Sequence, residues 1–166
     1  PNRHGSYGAL LADPAFDVVH VATPHSTHLE HATLALEAGH AVLCEKPLAL
    51  NAAQAERLID TARRHDQFLM EAMWTRFLPV MDDVHRLVHE ERVLGDVHLL
   101  RADIGVTQPV DPTHRLFDPA LGGGALLDLG VYPVAFAFDL FGAPDPVPPS
   151  AVLPATALDA PCAAVF

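Results

Sequence analysis

A chain of 166 residues is long enough to bury a hydrophobic core, and a formal net charge of −11 sets what it can meet. Lys and Arg are scattered rather than clustered, which excludes nucleic acid and anionic membranes as partners, because neither finds a positive patch. Half of the residues are hydrophobic and 19% are charged, which excludes disorder over most of the length.

In chain order, Ser6 is placed to cap a short helix, Tyr7 to Ala12, which Asp13-Pro14 stops. Asp17 to Ala22 is a β-branched apolar run that reads as a buried strand. Thr23 to Ser26 forms a turn. A helix capped by Ser26 or Thr27 then runs to Ala38, with Gly39 where a left-handed C-terminal residue belongs. His40 to Cys44 reads as a second strand, followed by Glu45-Lys46-Pro47. Asn51 caps a helix from Ala52 to His65 with Leu58, Ile59 and Ala62 on one face, and Gln67 to Glu71 reads as a third strand. Beyond Trp74 the spacing predicts a helix to Glu91, an alternating strand from Gly95 to Val106, and a Pro/Asp/His loop from Gln108 to Pro119. Gly122-Gly123-Gly124 then opens an apolar helix, Ala125 to Phe141. A Pro- and Ala-rich stretch follows, and the chain ends at Phe166 in what reads as the start of a strand.

Strand, helix, strand, helix, strand at this spacing predicts a parallel sheet with right-handed crossovers, with ligands outside the carboxyl ends of its strands. A change of domain falls near Thr75, giving 1–74 and 75–166. The two cysteines, Cys44 and Cys162, lie outside any metal or redox spacing, which suits a reduced, cytoplasmic compartment. No apolar run is expected to reach a membrane span, and no signal peptide is read at the front.

Four groups of residues are weighed as candidates for chemistry. Lys46, at the carboxyl end of a buried strand, can bond a ribose or substrate hydroxyl and tune a neighbouring acid; a solvated lysine held by Pro47 is the plainer alternative. Asp128 and Tyr132 stand at i and i+4 on one helix face, a carboxylate and a phenol suited to a carbonyl–alcohol pair; a local cap and a core-edge tyrosine are the plainer alternative. Pro133 has no amide to give Leu129, so the helix should be irregular beside them. The three glycines lack the spacing of a phosphate loop and suggest a tight domain contact instead. His25, His28 and His31 recur every three residues and His85 and His89 stand four apart, but neither group has a Cys or carboxylate in a metal-ligand pattern, so no metal is assigned.

Four segments together resemble the Gfo/Idh/MocA oxidoreductases, and particularly their dihydrodiol-dehydrogenase-like branch. They are Val21 to His28 (VATPHSTH), Ala38 to Leu48 (AGHAVLCEKPL), Glu71 to Pro79 (EAMWTRFLP) and Gly122 to Pro133 (GGGALLDLGVYP). The resemblance implies an α/β fold: a partial Rossmann domain whose first βαβ unit is missing, followed by the start of an α/β (α+β) substrate and dimerisation domain with an open sheet. It implies NAD or NADP as cofactor, with NADP favoured in this branch, and a small polyol, sugar or diol as substrate. By the same resemblance, Glu45 would bond the nicotinamide ribose and Lys46 would contact cofactor and substrate. Thr23, Pro24 and His28 would line the cofactor cleft, and Trp74 and Arg76 would sit near the cofactor or domain junction. Asp128 and Tyr132 would be the carboxylate and the acid/base group, and a homo-oligomer could form through the second sheet.

The family's glycine-rich first turn, where backbone N–H groups and a helix dipole hold the pyrophosphate, has no counterpart in this sequence. The expectation is therefore a truncated dehydrogenase, itself inactive. The alternatives are a non-catalytic remnant that binds a ligand or partner, and, more remotely, a histidine-based metal module.

Overall fold

The computed structural model describes residues 2–143, together with the backbone of residues 150–151 and 162–163. The chain divides into two compact units: one runs to Ala72 and includes Ala120–Gly122, and the other comprises Met73–Pro119 and the described residues from Gly123 onward.

The first unit opens with α1 (Tyr7–Leu11), capped by the Ser6 side chain accepting from the Ala9 amide at 3.2 Å. Three strands follow, β1 (Val18–Val21), β2 (Ala41–Cys44) and β3 (Leu69–Glu71), parallel and in the order β1-β2-β3. The intervening helices are α2 (His28–Glu37) and α3 (Ala52–Arg64). Gly39 ends α2 at φ 88, a conformation that a Cβ would strain. Asn51 caps α3 by accepting from the Gln54 amide at 3.0 Å. Apolar residues of both helices and of β1 and β2 close over one another; Leu36, Leu58 and Val42 are wholly buried. Full burial of each such side chain stabilises the fold by about 1.5–3 kcal/mol.

Two local expectations need correction. Thr27 takes the N-cap position of α2 but does not cap it through its side chain: its hydroxyl turns back to Thr23 Oγ1 and Pro24 O, both at 2.9 Å, and a short 3-10 turn, His25–Thr27, leads in. Ile59 is exposed rather than packed with Leu58 and Ala62, and Thr61 takes the buried place, its hydroxyl satisfied by Arg57 O at 2.8 Å.

In the second unit, a 3-10 turn at Trp74–Phe77 precedes α4 (Pro79–His85). The helix expected to continue from Trp74 breaks at Leu78, which is extended (ψ 135) because Pro79 crowds the helical conformation of the residue before it. A wider π-helical turn, Arg86–Glu90, finishes this element. The strand expected from Gly95 to Val106 is not formed: the segment holds no ladder, and Leu99 is 84% exposed. Its alternation is strand-like, but among the described residues no neighbour lies alongside to take its backbone hydrogen bonds.

The last helix begins with a π-helical turn, Leu126–Gly130, and continues as α5 (Val131–Phe141). This is the irregularity that Pro133 demands. Ser150–Ala151 and Cys162–Ala163 (β4 and β5) form a short antiparallel pair. The strand expected at Phe166 lies outside the described residues.

One further correction concerns length. Pro119–Phe141, 23 residues at mean hydropathy 1.5, is long and apolar enough by length and composition to cross a membrane, contrary to expectation. Gly122 and Gly124 interrupt it at φ 76 and 128. The regular part, α5, has 11 residues and is therefore about 16 Å long, half of a hydrocarbon core of about 30 Å. Asp128 and Asp139 also lie within the run, paired with Arg115 and His85.

Candidate active site

In the first unit, the register places Val21 opposite Cys44 and Cys44 opposite Glu71, so the three strands end level. The ladder runs one residue further, Glu45 N donating to Val21 O at 2.9 Å and Ala72 N to Cys44 O at 2.7 Å. The loops carrying Thr23, Pro24, Glu45 and Lys46 therefore share one edge of the sheet, where a parallel sheet receives its ligand.

Glu45 is held on that edge. One carboxylate oxygen lies 3.3 Å from His20 Nε2, and the other accepts the Lys46 amide at 3.3 Å. Its side chain keeps 38% exposure, so it remains an available acceptor for a hydroxyl donor. Lys46 is half-buried and precedes a cis peptide to Pro47. Behind it, Glu71 accepts the Leu48 amide at 2.8 Å, pinning the turn to β3.

His28 is wholly buried. Its Nδ1 lies 2.8 Å from Pro47 O and its Nε2 2.9 Å from Thr23 O, so one ring ties the two strand-end loops together. The His28 side chain therefore lies behind the loops rather than on their open face. Thr23 is braced again by His31 Nδ1 at 3.0 Å. His25 has a separate task, with Nδ1 3.0 Å from the carbonyl of Gly122. A Cβ on Gly122 would stand 2.5 Å from Leu50 Cδ2 and 2.9 Å from His25 Cβ, which is why only glycine fits there. Beneath the edge, wholly buried Cys44 has its thiol pushed up from an ordinary 9.0 to about 12, by burial first and then by Glu71 and Glu45.

The second unit holds the remaining candidates. Trp74 Nε1 donates to Tyr132 Oη at 3.1 Å, with the rings edge to face at 6.2 Å. Indole has a donor and no acceptor, so the phenol oxygen accepts this bond. Tyr132 and Arg76 line a cavity of about 310 Å³ whose other walls include Leu78, Met81, Ile104 and Phe136. That is the lower end of the size range of small-molecule sites. Asp128, 7% exposed, accepts from Arg115 Nη1 at 3.0 Å. Sequence reasoning missed Arg115: it stands in a loop read only as Pro-, Asp- and His-rich, and nothing local ties it to a carboxylate thirteen residues on. Among the described residues, no group of three His, Cys, Asp or Glu converges on a common point; His85 instead meets Asp139 at 2.5 Å.

Level parallel strand ends with polar loops, joined in one chain to a tyrosine-lined apolar cavity, define a nucleotide-binding α/β protein of the Rossmann class. Residues 4–73 match the oxidoreductase family with an NAD-binding Rossmann fold, and residues 82–160 match the C-terminal domain of the same family. The chain belongs to the Gfo/Idh/MocA oxidoreductase family.

Among curated relatives, it is 43% identical over 146 residues to trans-1,2-dihydrobenzene-1,2-diol dehydrogenase of Xenopus tropicalis, covering 88% of this chain and 43% of that protein. It is 44% identical over 143 residues to D-xylose 1-dehydrogenase (NADP(+)) of Hypocrea jecorina, covering 81% of this chain and 36% of that one. The chain thus spans less than half the length of these relatives. Among solved structures, it is similar to the 3-ketoreductase KijD10 of Actinomadura kijaniata in complex with NADP and TDP-benzene, with a TM-score of 0.68 at 36% identity over 82% of this chain and 42% of that one.

Proposed function

We propose that this chain carries the nicotinamide-side and proton-transfer residues of an NADP- or NAD-dependent dehydrogenase that interconverts a sugar, cyclitol or vicinal-diol hydroxyl and its carbonyl. The observation that carries the reading is the Trp74–Tyr132 hydrogen bond beside the cavity, because the indole donates to the phenol oxygen and so fixes the tyrosine on the cavity wall. NADP is favoured over NAD by the relatives and structures that name it.

The first unit suits one end of such a cofactor. Glu45 presents a partly exposed carboxylate able to accept from ribose hydroxyls, and Lys46 beside it can donate to a hydroxyl oxygen. The chain contains no G-x-G-x-x-G run, and none of its residues is assigned to the pyrophosphate. When bound, the nicotinamide supplies the hydride acceptor for oxidation and the hydride donor for reduction. Tyr132 takes the hydroxyl proton during oxidation and returns it during reduction. Asp128 supplies a fixed negative charge on the same helix, and Arg76 on the cavity wall is a donor for substrate oxygens. The apolar walls match the carbon face of a ring. At a net charge of −11, an anionic partner is drawn in only by such local cations.

The test is NADPH and NADH binding by fluorescence, followed by oxidation of trans-1,2-dihydrobenzene-1,2-diol and D-xylose. Binding and turnover by this chain are expected to be weak, because no glycine-rich turn is present to hold the pyrophosphate, and Tyr132→Phe should leave the binding unchanged while lowering the residual turnover by about 10²–10⁴-fold. A folded chain that binds neither cofactor, when the same chain extended upstream to the next in-frame start also folds and binds neither, would overturn the dehydrogenase reading in favour of a non-catalytic ligand- or partner-binding module.

A further inference from the structure

We infer that Arg115 is a positioning residue, which holds the Asp128 carboxylate in the orientation used by the reaction proposed above; the inference rests on that reading. Asp128 is 7% exposed, and a carboxylate so far from water is tolerated only where donors compensate its lost hydration. Arg115 Nη1 provides one such bond at 3.0 Å, charge-assisted and therefore stronger than a neutral contact.

The arginine does not reach Asp128 from a free-swinging loop. Its segment is folded on itself, with His114 N donating to Asp111 O at 3.0 Å, Phe117 N to His114 O at 2.9 Å, and Asp111 Oδ1 accepting from the Thr113 amide at 2.9 Å. The folded loop is then clamped to the glycines that start the helix. Gly124 N donates to Leu116 O at 3.1 Å and Gly123 N to Asp118 O at 3.0 Å. A Cβ on Gly123 would stand 2.8 Å from the carbonyls of both Arg115 and Leu116. The backbones touch because Gly123 has no side chain to keep them apart. The Asp128 amide bonds Gly124 O at 3.2 Å, so one glycine carbonyl and its neighbouring amide connect the arginine loop to the helical turn that bears the carboxylate. Tyr132 follows on the same helix. Loop, glycines, guanidinium and carboxylate form one closed frame, and Arg115 supplies the positive charge in it.

The experiment uses the full chain and four variants: Arg115→Ala, Arg115→Lys, Asp128→Asn and the double variant Arg115→Ala with Asp128→Asn. Aspartate ¹³C-carboxyl NMR at neutral pH reads the contact directly. The Asp128 signal should move in Arg115→Ala and move less in Arg115→Lys, while that of Asp139, paired to His85, stays in place. Steady-state kinetics read the consequence. Arg115→Ala should lower kcat more than tenfold with the KM for NADPH unchanged, Arg115→Lys should recover part of the loss, and the double variant should be no worse than Asp128→Asn.

An Asp128 signal that does not respond to Arg115→Ala overturns the contact and the inference with it. A signal that moves without any loss of kcat, when Asp128→Asn does lose kcat, reduces Arg115 to a stabilising residue and also overturns it. If Asp128→Asn keeps full turnover, the functional reading fails instead. The NMR then still decides whether Arg115 holds the carboxylate.

Discussion

At the scale of single residues, burial decides what the reactive groups beneath the strand ends can do. Cys44 sits behind Glu45 with no exposure, and its thiol is pushed up to about 12 by desolvation and by two neighbouring carboxylates. A thiol so protected is no nucleophile at neutral pH, and Ellman's reagent should label it only at the rate of unfolding. The folded state favours the protonated form, so this contribution to stability is whole below about pH 9. It is lost as the pH rises toward 12, since the unfolded chain ionises first. Denaturation midpoints followed across that window should fall more steeply for wild type than for Cys44→Ala. His28 is buried for a different reason: its ring stands between the carbonyls of two loops, Pro47 O and Thr23 O. His28→Ala removes both contacts and leaves a void, an expected loss of about 2–4 kcal/mol in urea denaturation.

Secondary structure was legible where the signal was local. Ser6 and Asn51 cap the helices they precede, because a short side-chain oxygen reaches an amide three residues on. Gly39 ends α2 for an equally local reason, its positive φ. The reading failed where a partner elsewhere in the chain decides. Thr27 was free to cap, yet Thr23 and Pro24 claim its hydroxyl. The alternation from Gly95 to Val106 is real, but a strand is a relation between two segments, and only one of them is visible in such a pattern. The candidate site divides the same way. The strand-end loops follow from chain grammar, and the family resemblance marked Trp74 and Tyr132, whereas the bond between them joins residues 58 apart. The glycines preceding the last helix were visible as a motif, although what they make room for was not. Gly123→Ala should therefore cost about 1–3 kcal/mol, through the overlap of its Cβ with the carbonyls of Arg115, Leu116 and Asp118. A thermal melt alongside Gly5→Ala, whose Cβ meets nothing within 4 Å, separates that overlap from a generic glycine effect.

On the scale of the whole molecule, the two units are not successive stretches of sequence. The first is completed by Ala120–Gly122, almost fifty residues after Ala72, and the His25–Gly122 hydrogen bond spans 97 positions. Closing so wide a loop costs conformational entropy that short-range contacts avoid. During synthesis, the ribosome will have released α1, all three strands and both crossover helices before the tripeptide that covers His25 and Leu50 exists. The strand-end edge thus spends its early life uncapped, and its final seal depends on residues encoded far downstream. A break made anywhere between Met73 and Pro119 would separate that seal from the sheet it closes, so the apparent domain boundary is a poor place to divide this chain into independent parts.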